Sequence, residues 1–483
     1  MQAMSLPGPR PFPVLGANGN LLRFVLDPLG TLSRLFEQHG RIAVLVRGRP
    51  TRLVSTERNV PGTVFFYGPE LNHALLTAHE EFHKCPLSGP LYPEQPISGR
   101  TRPLTRMLTG LFQANGDEHR QQRRMLMPAF HKSRIESYRD DMVAITHSLL
   151  EPYRAGETRD LRADMTELTL RVATKTLFGS DMGEGGLEIA RNLRRWLELF
   201  RPSAILPLDL PGLPYRRWLD VSHEIDRKMV EVIESKRRAR EPSADMLSML
   251  LEARDEQGGG MSDDELIGHA GVIFAAGYET SSNALSWTLF LLSQHPRVAA
   301  ELLEELDSVL HGDAPRVEQL ASLPLLERVI KESMRILPPV PLNHRITAVE
   351  TELGGYAIPR GAEVISSIYH THRMPEIYDE PTRFRPERWE KLEPGPYGYN
   401  PFSAGPRMCI GAAFAMMEIK IVLAILMQRY RFELVAGTRI DRFFSITMAP
   451  APRLTMRVHP QDRAFDKSAR RVRGNVREMV ALG

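Results

Sequence analysis

The 483 residues are 42% hydrophobic, 25% charged and 7% aromatic, the balance of an ordinary globular chain long enough to enclose a bulky ligand, and this excludes a disordered protein. A formal charge of +3 with no long basic block excludes a nucleic-acid binder, and two cysteines, Cys85 and Cys409, cannot make a disulfide framework, so a reducing cytoplasm is expected. No apolar stretch near the start approaches the roughly 18 residues that span a bilayer. Leu21 to Leu29 is broken by Arg23, Asp27 and Pro28, so no membrane anchor is expected.

In chain order, β-branched and aromatic runs between Arg41 and Tyr67 (Ile42 to Val46, Leu53-Val54, Val64 to Tyr67) are punctuated by Gly, Pro and Asn and predict a small sheet. After Pro69 the pattern is helical, interrupted by a turn-rich segment from Cys85 to Thr101. A second interruption, Pro202 to Pro214, is apolar, which predicts a loop that packs down or meets something greasy. Ser262-Asp263-Asp264-Glu265 forms a capping box, and the apolar periodicity behind it runs to about Gln294. Such a helix is roughly 45 Å long, enough to cross a domain. It sets Ala276, Gly277 and Thr280 on one face, with Gly277 costing about 1 kcal/mol in a helix interior. Helices are then expected over Arg297 to Leu310, Leu325 to Leu337 and Ile410 to Met427, and strands within Thr351 to Ser367. The tail, 463–483, carries Lys467, Arg470, Arg471, Arg473 and Arg477 and reads as a solvated terminus.

One motif carries chemistry. Phe402-Ser403-Ala404-Gly405-Pro406-Arg407-Met408-Cys409-Ile410-Gly411 sets a cysteine between two glycines at the mouth of a helix, where orphan N–H groups and the helix dipole favour a thiolate. Gly405 and Gly411 let the backbone lie flat against a planar ligand. The segment resembles the haem-binding loop of the cytochrome P450 family, Phe-x-x-Gly-x-Arg-x-Cys-x-Gly, with every fixed position filled. The resemblance runs from about Leu6 to Pro460, and Leu6-Pro7-Gly8-Pro9 is similar to the proline hinge of microsomal members, here without their anchor.

The resemblance implies a mainly α fold with small β-sheets (α+β), a triangular helical prism holding haem between the long helix and the thiolate loop. It implies a single domain over 1–462, with β-rich parts at about 40–68 and 351–367. Cys409 would be the axial thiolate of haem b. His119 and Arg123, at i and i+4, join Arg345 and Arg407 as cations for the propionates, and Phe402 belongs to the cofactor loop. Glu279 and Thr280 are similar to the oxygen-activating acid–alcohol pair, and Ala276-Gly277 to the dioxygen groove. Glu332, Arg335 and Arg388 are similar to a structural ion-pair cluster that braces the loop.

The implied activity is that of a monooxygenase using O2 and two external electrons to hydroxylate or epoxidise a lipophilic molecule (fatty acid, terpenoid, steroid or polyketide-like). A haem-binding sensor or carrier and a non-oxygenating isomerase are the alternatives. Pocket residues implied by analogy are Leu104, Met107, Leu108, Val272, Ala276, Val340, Leu342, Ile446, Thr447 and Met448, with Leu91, Ile97, Leu111 and Phe274 as further liners. Arg100, Arg102 and Arg106 could meet a substrate carboxylate or be solvated loop charges. With no nicotinamide or flavin fingerprint, the chain needs a ferredoxin or flavodoxin and its reductase, for which Arg120, Arg124 and Lys331 offer an attractive face.

Overall fold

The computed structural model describes every residue except 1–3, 14–15, 54, 56–59, 85–98, 180–182, 207, 239–244, 445 and 483, and the side chains of 183–187, 190, 201 and 204–205. Its spine is the helix Asp263–Gln294, opened by the predicted capping box: Ser262 accepts from the Glu265 N–H, and the Glu265 carboxylate accepts from the Ser262 N–H. From Ser281 onward every residue of this helix is buried, so its small polar residues bond to their own backbone. Ser286 donates to the Ser282 carbonyl and Thr288 to that of Ala284, each at 2.7 Å. Helices Leu161–Phe178, Pro324–Ile336 and Ala412–Arg429 pack round this spine and share one continuous apolar core with it.

The main sheet has five strands in the order Ile42–Val44, Thr63–Phe66, Glu363–Ser367, Leu342–Thr347, Phe82–His83. Thr63–Phe66 and Glu363–Ser367 run parallel, with Val64 opposite Val364, and both are fully buried, hence their β-branched composition. Thr351–Leu353 and Tyr356–Ile358 form a hairpin whose two-residue turn needs positive φ at both positions, supplied by Gly354 and Gly355.

Three expectations are corrected. Leu53 lies outside any strand, and Val54 lies outside the described residues. The helix Gly183–Ile205 continues through Pro202, so the apolar interruption begins one turn later, where Leu206, Leu208 and Leu210 are exposed. The basic tail is not a frayed terminus. Val472, Val476, Met479 and Val480 are buried in the main core, and the Ala481 N–H reaches the Thr382 carbonyl. Apolar residues at helical spacing anchor it, while Arg470 turns outward onto Glu433.

Candidate functional site

The loop before helix Ala412–Arg429 is held by its own backbone. The Cys409 N–H donates to the Phe402 carbonyl at 2.9 Å, and Gly405 adopts φ +71°. A side chain at Gly405 would collide with the Leu76 carbonyl, so this glycine answers to a neighbouring helix rather than to a planar ligand; Gly411 has ordinary contact room. The Cys409 thiol carries accessible surface, and yet burial pushes its pKa up, against the opposing pull of the Gly411 N–H and of Arg123. Surface that is accessible but poorly solvated belongs to the wall of an enclosed cleft. The net direction is opposite to that expected from the helix terminus alone.

Cations without counter-charges surround this cleft. Arg345, Arg407, Arg123 and Lys84 make no ion pair among the described residues, although Arg345 is buried and the others are half-buried. Burial, reinforced by Arg407, lowers Arg345 to about 9; burial and Arg123 lower Arg407 to about 10. Burial and the charges of Arg345 and Arg407 hold Lys84 well below its ordinary value, and burial with Arg407 and Arg123 lowers His119 to about 4. Neutral hydrogen bonds tie the group together. Asn115 Oδ1 accepts from Arg407 Nη2 at 2.7 Å and from the Lys84 N–H at 2.8 Å, while Asn343 Oδ1 accepts from Arg345 Nη1 at 2.6 Å. Arg407 Nε is buried with no partner. Mutually repelling cations in a poorly solvated cleft call for an anion. Lys84 belongs to no motif, and sequence reasoning missed it.

On the long helix, Ala276 is exposed, and apart from the helix's own backbone and chain neighbours no atom of the described residues lies within 4 Å of where a Gly277 side chain would stand, so the helix there faces open space. Thr280 Oγ1 donates back to the Ala276 carbonyl at 2.7 Å, leaving its lone pairs free to accept. Burial raises the Glu279 pKa, opposed by a hydrogen bond from Thr447 and the charge of Arg162. Thr447 in turn accepts from Asn283 Nδ2 at 3.1 Å, so this residue, expected to line the pocket, also orients the acid. Sequence reasoning also missed Glu418, a fully buried acid on helix Ala412–Arg429 that faces Ser281. Burial raises its pKa to about 8, and both its Oε2 and the Ser281 Oγ are buried without a hydrogen-bond partner among the described residues.

Glu332, Arg335 and Arg388 are brought together. Arg335 holds both Glu332 oxygens at 2.8 Å, Arg388 Nε reaches Oε1 at 3.0 Å, and Trp389 Nε1 reaches Oε2 at 3.0 Å. Burial pushes the Glu332 carboxyl up, but these donors and charges outweigh it and hold the group below the ordinary range. Arg335 also donates to the His372 carbonyl, and His372 Nε2 accepts from the Asn400 N–H, which carries the brace to the thiol loop.

Of the predicted pocket residues, Leu104, Met107 and Leu108 are buried beside the long helix, with Met107 packed at Gly271. Val272, Val340, Leu342 and Leu111 are half-buried, and Ile446 is exposed. Met448 is buried in the main core, its carbonyl accepting from Trp287 Nε1. Phe274 is fully buried against Tyr278 in the core. Leu91 and Ile97 lie outside the described residues. Arg100, Arg102 and Arg106 are neither substrate-facing nor free, being paired with aspartates. Arg120, Arg124 and Lys331 are likewise paired, with Glu80, Glu256 and Glu327.

Among the described residues no helix is long and apolar enough to cross a membrane, and no cluster of three His, Cys, Asp or Glu side chains could hold a bare metal ion. A metal at Cys409 therefore needs its other ligands from a cofactor, and the unpaired cations fit one that carries acid groups.

The comparisons converge on one family. The family model described as Cytochrome P450 matches residues 9–456. Cyclooctat-9-en-7-ol 5-monooxygenase of Streptomyces melanosporofaciens is 32% identical over 76% of this chain and 82% of its own length. Pentalenene oxygenase of Streptomyces avermitilis is 30% identical over 88% of this chain and 90% of its own. In fold, retinoic acid-bound cyanobacterial CYP120A1 superposes with a TM-score of 0.79 at 24% identity, covering 95% of this chain and all of that one. The chain belongs to the cytochrome P450 family and is a monooxygenase of that family.

Proposed function

We propose that the chain inserts one oxygen atom from O2 into a terpenoid, at a haem b bound through Cys409, with two electrons from a separate ferredoxin or flavodoxin and its reductase. The observation that carries the reading is the set of unpaired cations on the cleft that Cys409 faces. Two relatives named for oxidising cyclooctat-9-en-7-ol and pentalenene support a terpenoid over the other lipophilic classes.

Haem supplies the one-electron and oxygen chemistry when bound. Cys409 would give up its proton to ligate the iron, while Arg345, Arg407, Arg123, Lys84 and His119 would hold the propionates by charge and N–H donation. Buried Glu279 holds a proton more tightly than an exposed carboxyl does, and its neighbour Thr280 presents Oγ1 beside the open space at Gly277. Together they can pass a proton into that space. The apolar residues round Met107 exclude water and receive a lipophilic substrate. Arg120, Arg124 and Lys331 would exchange their present acidic partners for those of an electron carrier.

The reading is tested with the haem-loaded protein, a ferredoxin, its reductase and a panel of terpenoids. A substrate that shifts the Soret band should yield a product bearing one atom from labelled O2. Steady reduction with no oxygenated product across the panel would favour the carrier reading instead. Cys409→Ala should abolish the red-shifted Soret band of the reduced carbon monoxide complex, and retention of that band contradicts the thiolate assignment. Thr280→Ala should divert several-fold more electrons to peroxide per product; unchanged coupling counts against its place in proton delivery.

A further inference from the structure

The family match ends at residue 456, yet the chain beyond it is built into the fold. Val476, Met479 and Val480 are buried in the main core, and residues 471–478 run along the outer edge of the hairpin made by strands Asp441–Phe444 and Met448–Ala451. The Ile440 N–H donates to the Arg473 carbonyl at 2.9 Å, and the Arg473 N–H to the Thr438 carbonyl at 3.0 Å. Gly474, at φ +99°, lies so close to the Ile440 carbonyl that no side chain fits there. Asn475 then binds both ways: its Oδ1 accepts from the Arg442 N–H, and its own N–H donates to Asp441 Oδ1, each at 2.8 Å.

Arg442 carries this contact further. It stands opposite Pro450 in the ladder, and its side chain, only 5% exposed, reaches Asp27 Oδ1 at 2.7 Å and Glu478 Oε2 at 3.1 Å. Asp27 is the N-cap of helix Pro28–His39. One arginine therefore joins the hairpin both to the tail and to a helix remote in sequence.

Two strands alone make a marginal sheet, so support at their edges matters. The inner strand is fastened to the pocket. The Met448 N–H donates to the Pro339 carbonyl at 2.8 Å, and Trp287 Nε1 donates to the Met448 carbonyl at 3.0 Å. Thr447, just before that strand, accepts from Asn283 and donates to Glu279. This last bond favours the carboxylate form of Glu279 and so eases release of its proton. The outer strand, by contrast, is the edge along which the tail lies.

We propose that Asn475 and Arg442 are positioning residues for the proton-delivering acid: through them the tail clamps the outer strand of the hairpin, and the clamped hairpin keeps Thr447 on Glu279. The effect on catalysis rests on the proposed function of Glu279; the clamp itself does not. Two measurements keep them apart.

Hydrogen exchange of the amides of 441–451 in the full chain tests the clamp without reference to haem. Asn475→Ala and Arg442→Gln should each quicken it at least several-fold, and Arg442→Lys should partly restore it. Arg477→Ala, exposed on the same tail, should leave it unchanged. Asn475→Ala removes one acceptor and no charge, so it remains decisive if Arg442→Gln fails to fold. The role at Glu279 is read as peroxide released per product, using the haem-loaded protein, a ferredoxin, its reductase and terpenoid probes beginning with pentalenene. Asn475→Ala and Thr447→Val should each raise this ratio several-fold, and the double variant should release no more than the worse of the two. Unchanged exchange in both Asn475→Ala and Arg442→Gln overturns the clamp. Quickened exchange with an unchanged ratio, or a double variant in which the two losses multiply, overturns the route through Thr447. A wild type that oxidises none of the terpenoids overturns the substrate reading alone, and exchange still decides the clamp.

Discussion

Two groups of arginines are tied to the thiol loop, and the protein treats them in opposite ways. Arg335 and Arg388 share a counter-charge: one carboxylate, Glu332, accepts from both, and backbone carbonyls take the remaining donors. Among the described residues, Arg345, Arg407 and Arg123, with Lys84, have neutral hydrogen-bond partners or none, and no carboxylate. A buried charge that is matched within the chain holds the fold, whereas one left unmatched is a cost to the empty protein that a bound anion removes. Glu418 shows a third outcome: with only Ser281 to face, it keeps its proton.

The largest effect should come from breaking the matched group. Glu332→Gln leaves two guanidiniums facing a neutral amide and should cost about 3–5 kcal/mol in urea unfolding. A change within experimental error would mean that the cluster is not bracing the fold. Arg388→Met should cost less, about 1–3 kcal/mol, because Arg335 still holds both carboxylate oxygens; equal losses would show that the two guanidiniums do not share the load as their geometry suggests.

Glu418 predicts a pH dependence of stability. Its pKa lies near 8 in the fold against 4.5 when exposed, so the native state binds the extra proton between those values, and Glu418's own contribution to stability should fall as pH rises through that window, by at most ~1.4 kcal/mol per pH unit. Glu418→Gln should flatten this slope. Identical pH profiles of stability in the wild type and Glu418→Gln would mean the acid is ionised in the fold.

Much of this was legible in the sequence because the relevant signals are local. The capping box, the helical spacing of Ala276, Gly277 and Thr280, and the thiol loop all lie within a few turns of chain. The cation group was partly legible, since the family resemblance picked out Arg345, Arg407 and Arg123, but Lys84 is a lone lysine whose neighbours Arg345 and Arg407 are remote in sequence. The ion pairs of Arg106 were not legible for the same reason: Asp226 and Asp264 lie far along the chain from it, and nothing at Arg106 announces them. The tail was misread because its basic residues drew attention from the apolar positions between them.

The most direct test of the contrast between matched and unmatched charge is Lys84→Met, measured in haem-free and haem-loaded protein. Among the described residues the Lys84 ammonium makes only a 3.5 Å contact with Asn343 and lies over the Phe112 ring, so little else is lost with the charge. Stability of the haem-free protein should stay level or rise, while transfer of haem to apomyoglobin quickens. A fall in haem-free stability with unchanged haem transfer would contradict the account.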